Sequence, residues 1–415
     1  MEYVSGYTCT ICNKKFEKNY QHLVCDECHD IGILDVNYDY QSMKKEINKE
    51  YFKNNHNYSM FRYHKLMTIK NQNFNKMLKV GWTPLYKSYN LSKKLDIDNL
   101  YFKDEGLNPT ASLKDRASAV AVLKAIEEGK DTICCSSTGN AASSLAGNAA
   151  KMGIKSVIFV PKRAPLGKLS QLVIYGSKVF KVDGDYKKTY EISKEAINKY
   201  KFYNRNAAIN PHLVEGKKTV IYEVMEQLNF ESLDYVFVSV GDGCTIGSVY
   251  KGLYDLFKLD LIKKIPKIVG VQSSGCSPFY NAWLNSEPLK ETEENTIADS
   301  IAVGIPRNPV KGLNAVLKTG GYYMTVTDDE ILDAMSILGE NEGLFGEPAG
   351  VTALSGLLKA KKLNKITKTD KIAIIVTGNG LKDPKSIESK VSKIHKIKND
   401  IKELQKHIKN NEVKK

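Results

Sequence analysis

Long apolar runs are missing from this 415-residue chain. No stretch of about 18 or more apolar residues occurs, so the sequence offers no membrane-spanning helix. The N-terminus also lacks the basic-then-apolar order of a secretory signal. Both absences lead to the expectation of a cytoplasmic protein with no membrane partner. Arginine is scarce, at five of the 61 basic residues, and no nucleic-acid reader motif accompanies the net charge of +14. From Lys382 to the C-terminus eleven lysines stand against five acidic residues, so much of the surplus is a solvated tail. Nucleic acid is therefore not the expected partner. Internal repeats are missing too.

What is present is an alternation. Between about residues 97 and 381, short β-branched runs such as "KSVIFVP", "DYVFVSV" and "KIAIIVTG" are separated by amphipathic stretches such as "DRASAVAVLKAIEEG" and "YKKTYEISKEAINKY". Apolar runs without polar alternation are strands covered on both faces, which predicts an α/β fold with parallel sheets. Residues 40 to 80 read as polar, aromatic and helical with loops. At the end, Ile387, Val391, Ile394, Ile397, Ile401, Leu404 and Ile408 recur at steps of three and four. That spacing predicts one helix with a narrow apolar seam, which either pairs with a second copy in a homodimer or packs on the body.

Eight cysteines are present, four of them within the first 28 residues. Cys9, Cys12, Cys25 and Cys28 form two C-x2-C knuckles separated by twelve residues, close to the thiolate spacing of a zinc ribbon. Four thiolates leave no open position for water, so the expected zinc is structural. Disulfides are the alternative, disfavoured in a reducing compartment. Cys134 and Cys135 read as small buried hydrophobes.

In parallel sheets, ligands bind beyond the carboxyl ends of strands, so the residues that come after each run carry the chemistry. After "DTICC" come Ser136, Ser137, Thr138, Gly139 and Asn140, which open an alanine-rich helix. Hydroxyls and free amides at a helix N-terminus make an anion cradle. After "DYVFVSV" come Gly241, Asp242, Gly243, Cys244 and Thr245, a second cradle. It lacks the P-loop lysine, and its glycine spacing departs from the dinucleotide fingerprint, so neither ATP nor NAD is expected. Thr377 comes after "KIAIIV". Lys114 lies in the turn "NPTASLKDR". A lysine in a tight turn, two anion cradles and a hydroxyl at a strand end together suit pyridoxal 5'-phosphate, whose aldehyde takes a lysine amine and whose phosphate needs backbone amides.

These segments resemble the fold-type II pyridoxal-phosphate enzymes, and within them the threonine synthase branch. The resemblance runs in family order through "GWTPLYKS", "LNPTASLKDRA", "SSTGNAASSLAG", "NPHLVEGKKT", "SVGDGCTIG", "ENTIADSIAVG", "FGEPAG" and "VTGNGLKD". It implies a two-lobed, three-layer αβα architecture, preceded by a zinc-ribbon-like segment over 1–40. Residues 41–113 with 221–382 would form the large cofactor-binding lobe, 114–220 the small lobe, and 383–415 a basic amphipathic helix. It implies that Lys114 carries the cofactor and shuttles protons, that Asn140 contacts the ring hydroxyl, and that residues 241–245 hold the phosphate. Thr377 would face the ring nitrogen, a neutral partner that favours elimination and replacement over transamination. Ser137, Thr138 and Gly139 would hold the substrate carboxylate. The implied reaction is O-phospho-L-homoserine and water to L-threonine and phosphate.

One segment departs from the pattern. Where the family reads like N-S-x-N-P-H-R-x-E-G, this chain has Ala207, Ala208 and Leu213, so the hydroxyl and the arginine that grip a leaving phosphate are missing. Ala141 and Asn379 also stand where threonine and histidine are usual. Arg205, Lys217, Lys218 and Arg307 are the candidates to supply the charge instead. A related elimination or replacement enzyme, acting on another amino acid, remains the alternative.

Overall fold

Strands rich in Val, Ile and Phe on both faces leave no side for water and must be sandwiched by helices. The computed structural model describes residues 1–70, 73–162, 164, 166–184, 186–206, 208–388, 394 and 396–412. Its thirteen strands are β1 Val4–Cys9, β2 Lys15–Phe16, β3 Leu34–Tyr38, β4 Leu85–Lys87, β5 Asn99–Asp104, β6 Thr132–Ser136, β7 Lys155–Pro161, β8 Lys178–Val182, β9 Tyr203–Asn204, β10 Tyr235–Ser239, β11 Lys267–Ser273, β12 Tyr322–Val326 and β13 Lys371–Val376. Six form one sheet in the order β12-β11-β10-β13-β5-β4, and four form a second in the order β8-β7-β6-β9. All pairings in these two sheets are parallel except β4 with β5. Helices flank both sheets, as the alternating sequence requires, so the expected three-layer α/β class is the one observed.

Strand register decides which loops become neighbours. Val376 of β13 pairs with Asp104 of β5, so two neighbouring parallel strands end at one level. The segments leaving them, 105–113 and 377–379, therefore run side by side. In the small sheet β6 is central, between β7 and β9, and the Asn140–Met152 helix springs from its end.

The N-terminal strands make a separate antiparallel sheet, β2-β1-β3. It rests on the body through buried polar contacts. Tyr38 donates to Glu215 at 2.5 Å, Tyr40 to Asp255 at 2.5 Å, and Lys311 pairs with Asp35 at 2.6 Å and donates to the Leu34 carbonyl at 2.7 Å.

Residues Met1–Lys382 form one compact unit and Asp383–Lys415 another. The second differs from the single helix expected from Ile387 onward. A 3-10 turn covers Pro384–Ile387 and an α-helix covers Ile401–Glu412, while residues 396–400 are not helical. Val391 lies outside the described residues. The physical reason is a start signal: Asp400 accepts from the Lys402 amide at 2.9 Å, and Glu403 reaches back to the Lys398 amide at 2.7 Å. Asp400 thereby satisfies a free amide of the first turn, and Glu403 ties that turn to the segment before it, so the helix begins there.

Candidate active site

Lys114 opens the Lys114–Glu127 helix, and its turn is locked from three sides. Asp115 turns inward, accepting from the Thr110 amide at 2.7 Å, the Thr110 hydroxyl at 2.8 Å and Asn148 at 2.8 Å. Burial pushes its carboxyl up to about 6. Arg116 makes two-pronged contacts with both Glu105 and Glu223, at 2.6–2.8 Å, and all three side chains are fully buried. The Leu113 amide donates to the Thr377 carbonyl at 2.9 Å, and the Asn379 amide to Ala111 at 3.1 Å. Ala111 sits at a φ of 65°, a left-handed conformation that costs about 1–3 kcal/mol for a residue with a side chain. Held this way, Lys114 has one freedom left, the swing of its own side chain.

Three strand ends converge on it. After β6, the Gly139 amide donates to the Ser137 hydroxyl at 3.2 Å, with Thr138 between them and Asn140 as first helical residue. Asn140 is buried and donates to Glu347 at 2.7 Å. After β13, Gly378 leaves room for that pair, since a Cβ there would lie 2.4 Å from the Glu347 carboxylate and 3.3 Å from the Asn140 amide nitrogen. Thr377 is thereby beside both the lysine turn and Asn140. After β10, Gly241 passes so close to Ile301 that a Cβ would lie 2.9 Å from the Ile301 Cα. Gly243 has a φ of +84° and caps the Cys244–Lys258 helix without any side-chain bond. The first amides of that helix, among them those of Cys244 and Thr245, thus have no intrahelical acceptor.

The electrostatics link these parts. Burial lowers the Lys114 ammonium pKa, and the charges of Cys244, Glu347, Arg205 and Asp242 all act on it. Among the described residues its amine has no hydrogen-bond or ion-pair partner. A lysine with a depressed pKa and nothing to neutralise it is poised as a nucleophile and proton carrier.

These features agree with known relatives. Residues 76–378 match the family described as pyridoxal-phosphate dependent enzyme. The chain belongs to that family. Threonine synthase of Methanocaldococcus jannaschii is 36% identical over 381 residues, covering 91% of this chain and 92% of that one. Threonine synthase of Methanosarcina acetivorans is 35% identical over 382 residues, again 91% and 92%. Among solved structures, threonine deaminase isoform 2 from Solanum lycopersicum superposes with a TM-score of 0.66 at 20% identity, covering 79% of this chain and 92% of that one. Serine racemase from Dictyostelium discoideum gives 0.63 at 24%, covering 80% and 98%. At such identities the likeness is one of fold. Within the pyridoxal-phosphate-dependent family the chain is a threonine-synthase-like lyase of fold type II. The residues suit the family's cofactor: an unpartnered lysine for its aldehyde, an uncapped helix end for its phosphate, and open space over Gly139, where a Cβ would meet nothing within 4 Å.

Three contributors are not singled out by sequence pattern. Glu347 and Ser300 both face Asn140, the latter at 3.5 Å. Lys382 ties the Thr110 carbonyl at 2.8 Å to Ser143 at 2.9 Å and Gln171 at 3.1 Å, bracing the lysine turn against the small lobe. A signal exists, because "FGEPAG", "ENTIADSIAVG" and "TGNGLKD" each contain one of them, but spacing alone gives no partner.

The four N-terminal cysteines come together. Their sulfurs all lie within 4.8 Å of one another, with Cys12 and Cys25 at 3.7 Å. Sulfurs about 2.3 Å from a tetrahedral zinc stand roughly 3.8 Å apart, so the cluster fits that ion. Hydrogen bonding from Cys12, with burial and Cys9 adding to it, pushes the Cys28 thiol up to about 12. Gly32 is indispensable to the packing, since a Cβ would lie 2.6 Å from the Cys25 Cβ and 2.7 Å from that of Cys28.

Proposed function

We propose that the protein is a threonine synthase, converting O-phospho-L-homoserine and water to L-threonine and phosphate. The observation that carries this reading is the unpartnered Lys114 amine, held in a turn braced by Asp115 and Arg116 where the ends of β6, β10 and β13 meet. The relatedness to threonine synthases over nine-tenths of the chain supports this reaction among those of the family. Once bound, pyridoxal 5'-phosphate supplies an electron sink for a substrate carbanion.

The chain's own residues then have defined tasks. Lys114 holds the cofactor and, when released, carries protons between neighbouring substrate carbons, for which its depressed pKa suits it. The amides from Gly241 to Thr245 take the cofactor phosphate, with the helix dipole behind them. Thr377 offers a neutral hydroxyl to the ring nitrogen, and Asn140, oriented by Glu347, takes the ring hydroxyl. Ser137, Thr138 and Gly139 receive the substrate carboxylate. Residues 41–113 with 221–382 are the cofactor lobe and 114–220 the small lobe, so the cleft between them keeps water away during proton transfer. The Cys9, Cys12, Cys25 and Cys28 cluster holds a structural zinc through its four sulfurs, and we place the protein in the cytoplasm. The seam residues Ile401, Leu404 and Ile408 are exposed, which suits pairing of two chains.

The test is direct. Holoenzyme mixed with O-phospho-L-homoserine should release threonine and phosphate in equal amounts. Lys114→Ala should lose the visible absorbance of the bound cofactor and slow turnover by roughly 10²–10⁴-fold or more. A wild type that leaves this substrate untouched but deaminates or eliminates from another amino acid would replace the synthase reading with that of a related lyase.

A further inference from the structure

Among the described residues, six buried cations of the body have an acid beside them. Arg62 pairs with Glu226, Lys103 with Glu223, Arg116 with Glu105 and Glu223, Lys124 with Glu127, Lys218 with Glu215 and Asp255, and Lys311 with Asp35. This is what desolvation demands, because a buried charge without a counter-charge is expensive. Two more cations are equally buried, Arg205 at 1% exposure and Lys217 at 2%. Neither has a carboxylate partner among the described residues. Arg205 gives its Nε to Ser118 at 3.0 Å, and its Nη2 finds no acceptor. The Lys217 ammonium has no hydrogen-bond partner among the described residues.

Both lie at the site. Arg205 comes directly after β9, its amide bonded to Cys134 of β6. Lys217 ends the Pro211–Lys217 helix, which is pressed on the lysine-bearing helix at Gly216, where a Cβ would lie 2.4 Å from the Arg116 carbonyl oxygen. The charged groups acting on Lys217 are Cys244, Lys114, Arg205 and Asp242, so it stands within electrostatic reach of Lys114. Asp242 spends a carboxylate oxygen on the Arg307 amide instead.

The other candidates are spoken for. Lys218 is neutralised by two acids, and the Arg307 guanidinium lies over the Tyr190 ring at 4.4 Å. Leu213, where the family has arginine, is fully buried in the small-lobe core with Ala117, Ala121 and Tyr203. Ala208 is also buried, and Ala207 lies outside the described residues. Lys217 stands four residues after Leu213, one helical turn along the same face. The charge missing from position 213 thus reappears one turn later.

We infer that Arg205 and Lys217 form the anion pocket that receives the phosphate group of the substrate and holds it as it departs. This rests on the synthase reading, and the ligand chemistry is a phosphate dianion, borne by substrate or as free product. Two unpaired cations in one dry pocket give a dianion its missing counter-charges, which rewards binding of a phosphorylated amino acid over an uncharged analogue.

The test uses holoenzyme in phosphate-free buffer, so that the cofactor's own phosphate already fills the glycine bend. Inorganic phosphate is titrated by calorimetry into wild type, Lys217→Met, Lys217→Arg and Arg205→Gln. Lys217→Met and Arg205→Gln should each weaken phosphate by roughly tenfold or more, and Lys217→Arg should recover most of the loss. With O-phospho-L-homoserine, Lys217→Met should raise KM more than it lowers kcat. Lys217→Met should also melt no lower than wild type, because it removes an unneutralised buried charge. Wild type that fails to bind phosphate, Lys217→Met with unchanged phosphate affinity, or Lys217→Met that releases the cofactor while still binding phosphate would each overturn the inference. The phosphate titration stands even if O-phospho-L-homoserine is not turned over. Conversely, turnover with an unchanged KM in Lys217→Met would sink the pocket and leave the synthase reading intact.

Discussion

Neighbouring residues of one helix end serve two dry charge clusters of opposite character. Around Arg116, every charge is answered: Glu105 and Glu223 take four of its hydrogen bonds, Thr219 takes a fifth, and Lys103 adds a second cation to Glu223 at 2.7 Å. Around Lys114, two residues earlier, Arg205 and Lys217 add positive charge with no carboxylate in contact. Burial alone would push the Glu223 carboxyl up, yet Arg116 and Lys103 outweigh it and hold it low. Burial lowers Lys114, Arg205 and Lys217 instead, because nothing outweighs it. The difference teaches where a fold stores its structure and where it keeps room for a ligand: a closed cluster is a fastener, an open one is a receptor.

The largest effect should come from breaking the closed cluster. Arg116→Met leaves Glu105 buried without a counter-charge and Glu223 with Lys103 alone, and should destabilise the protein by about 3–5 kcal/mol in urea unfolding. If it unfolds at the same urea concentration as wild type, the fastener reading fails. A smaller and more local effect is expected at the cysteines. Zinc should accompany the purified chain at about one per protein, and chelation should speed amide exchange in β1, β2 and β3 before it reaches the β10–β13 sheet. Absence of metal from the purified chain removes the ribbon.

The smallest effect is a matter of pH. Lys217 is lowered from 10.5 to about 8 by burial, reinforced by Lys114 and Arg205 and opposed by Cys244 and Asp242. Between those values the unfolded chain binds the proton and the folded chain does not, so stability rises with pH across that window. The penalty is fully present below about 8 and relieved toward 10.5. Relative to Lys217→Met, wild type should therefore gain stability from about pH 8 upward, measured by urea unfolding of the two proteins side by side. Parallel curves would mean that Lys217 is already neutralised.

Much of the molecule is legible from residues alone. "KSVIFVP" and "YKKTYEISKEAINKY" coincide with β7 and with the Tyr186–Tyr200 helix, because a strand buried on both faces and an amphipathic helix each leave a local imprint. As candidates, Asn140, the glycine bend and Thr377 can be picked out because each lies just beyond a strand end, and Lys114 because it sits in a polar turn. β12 leaves a fainter mark, since "YYMTV" shows no long β-branched run. The C-terminal seam misleads, because a repeat of apolar residues says nothing of Asp400 and Glu403 starting the helix late.

What the sequence determined by itself is the chemistry available: an α/β chain, a lysine in a turn, two amide-lined strand ends and four cysteines at ligand spacing. These are properties of neighbours along the chain, within reach of periodicity and turn rules. Only the tertiary structure decided which charges are answered. Glu223 lies 107 residues from Arg116, and Asp255 lies 37 from Lys218; Glu215 is a local partner of Lys218, but nothing local says that it turns to Lys218 and not to Lys217. Charge balance in a dry interior depends on distances through space, and the fold alone sets them.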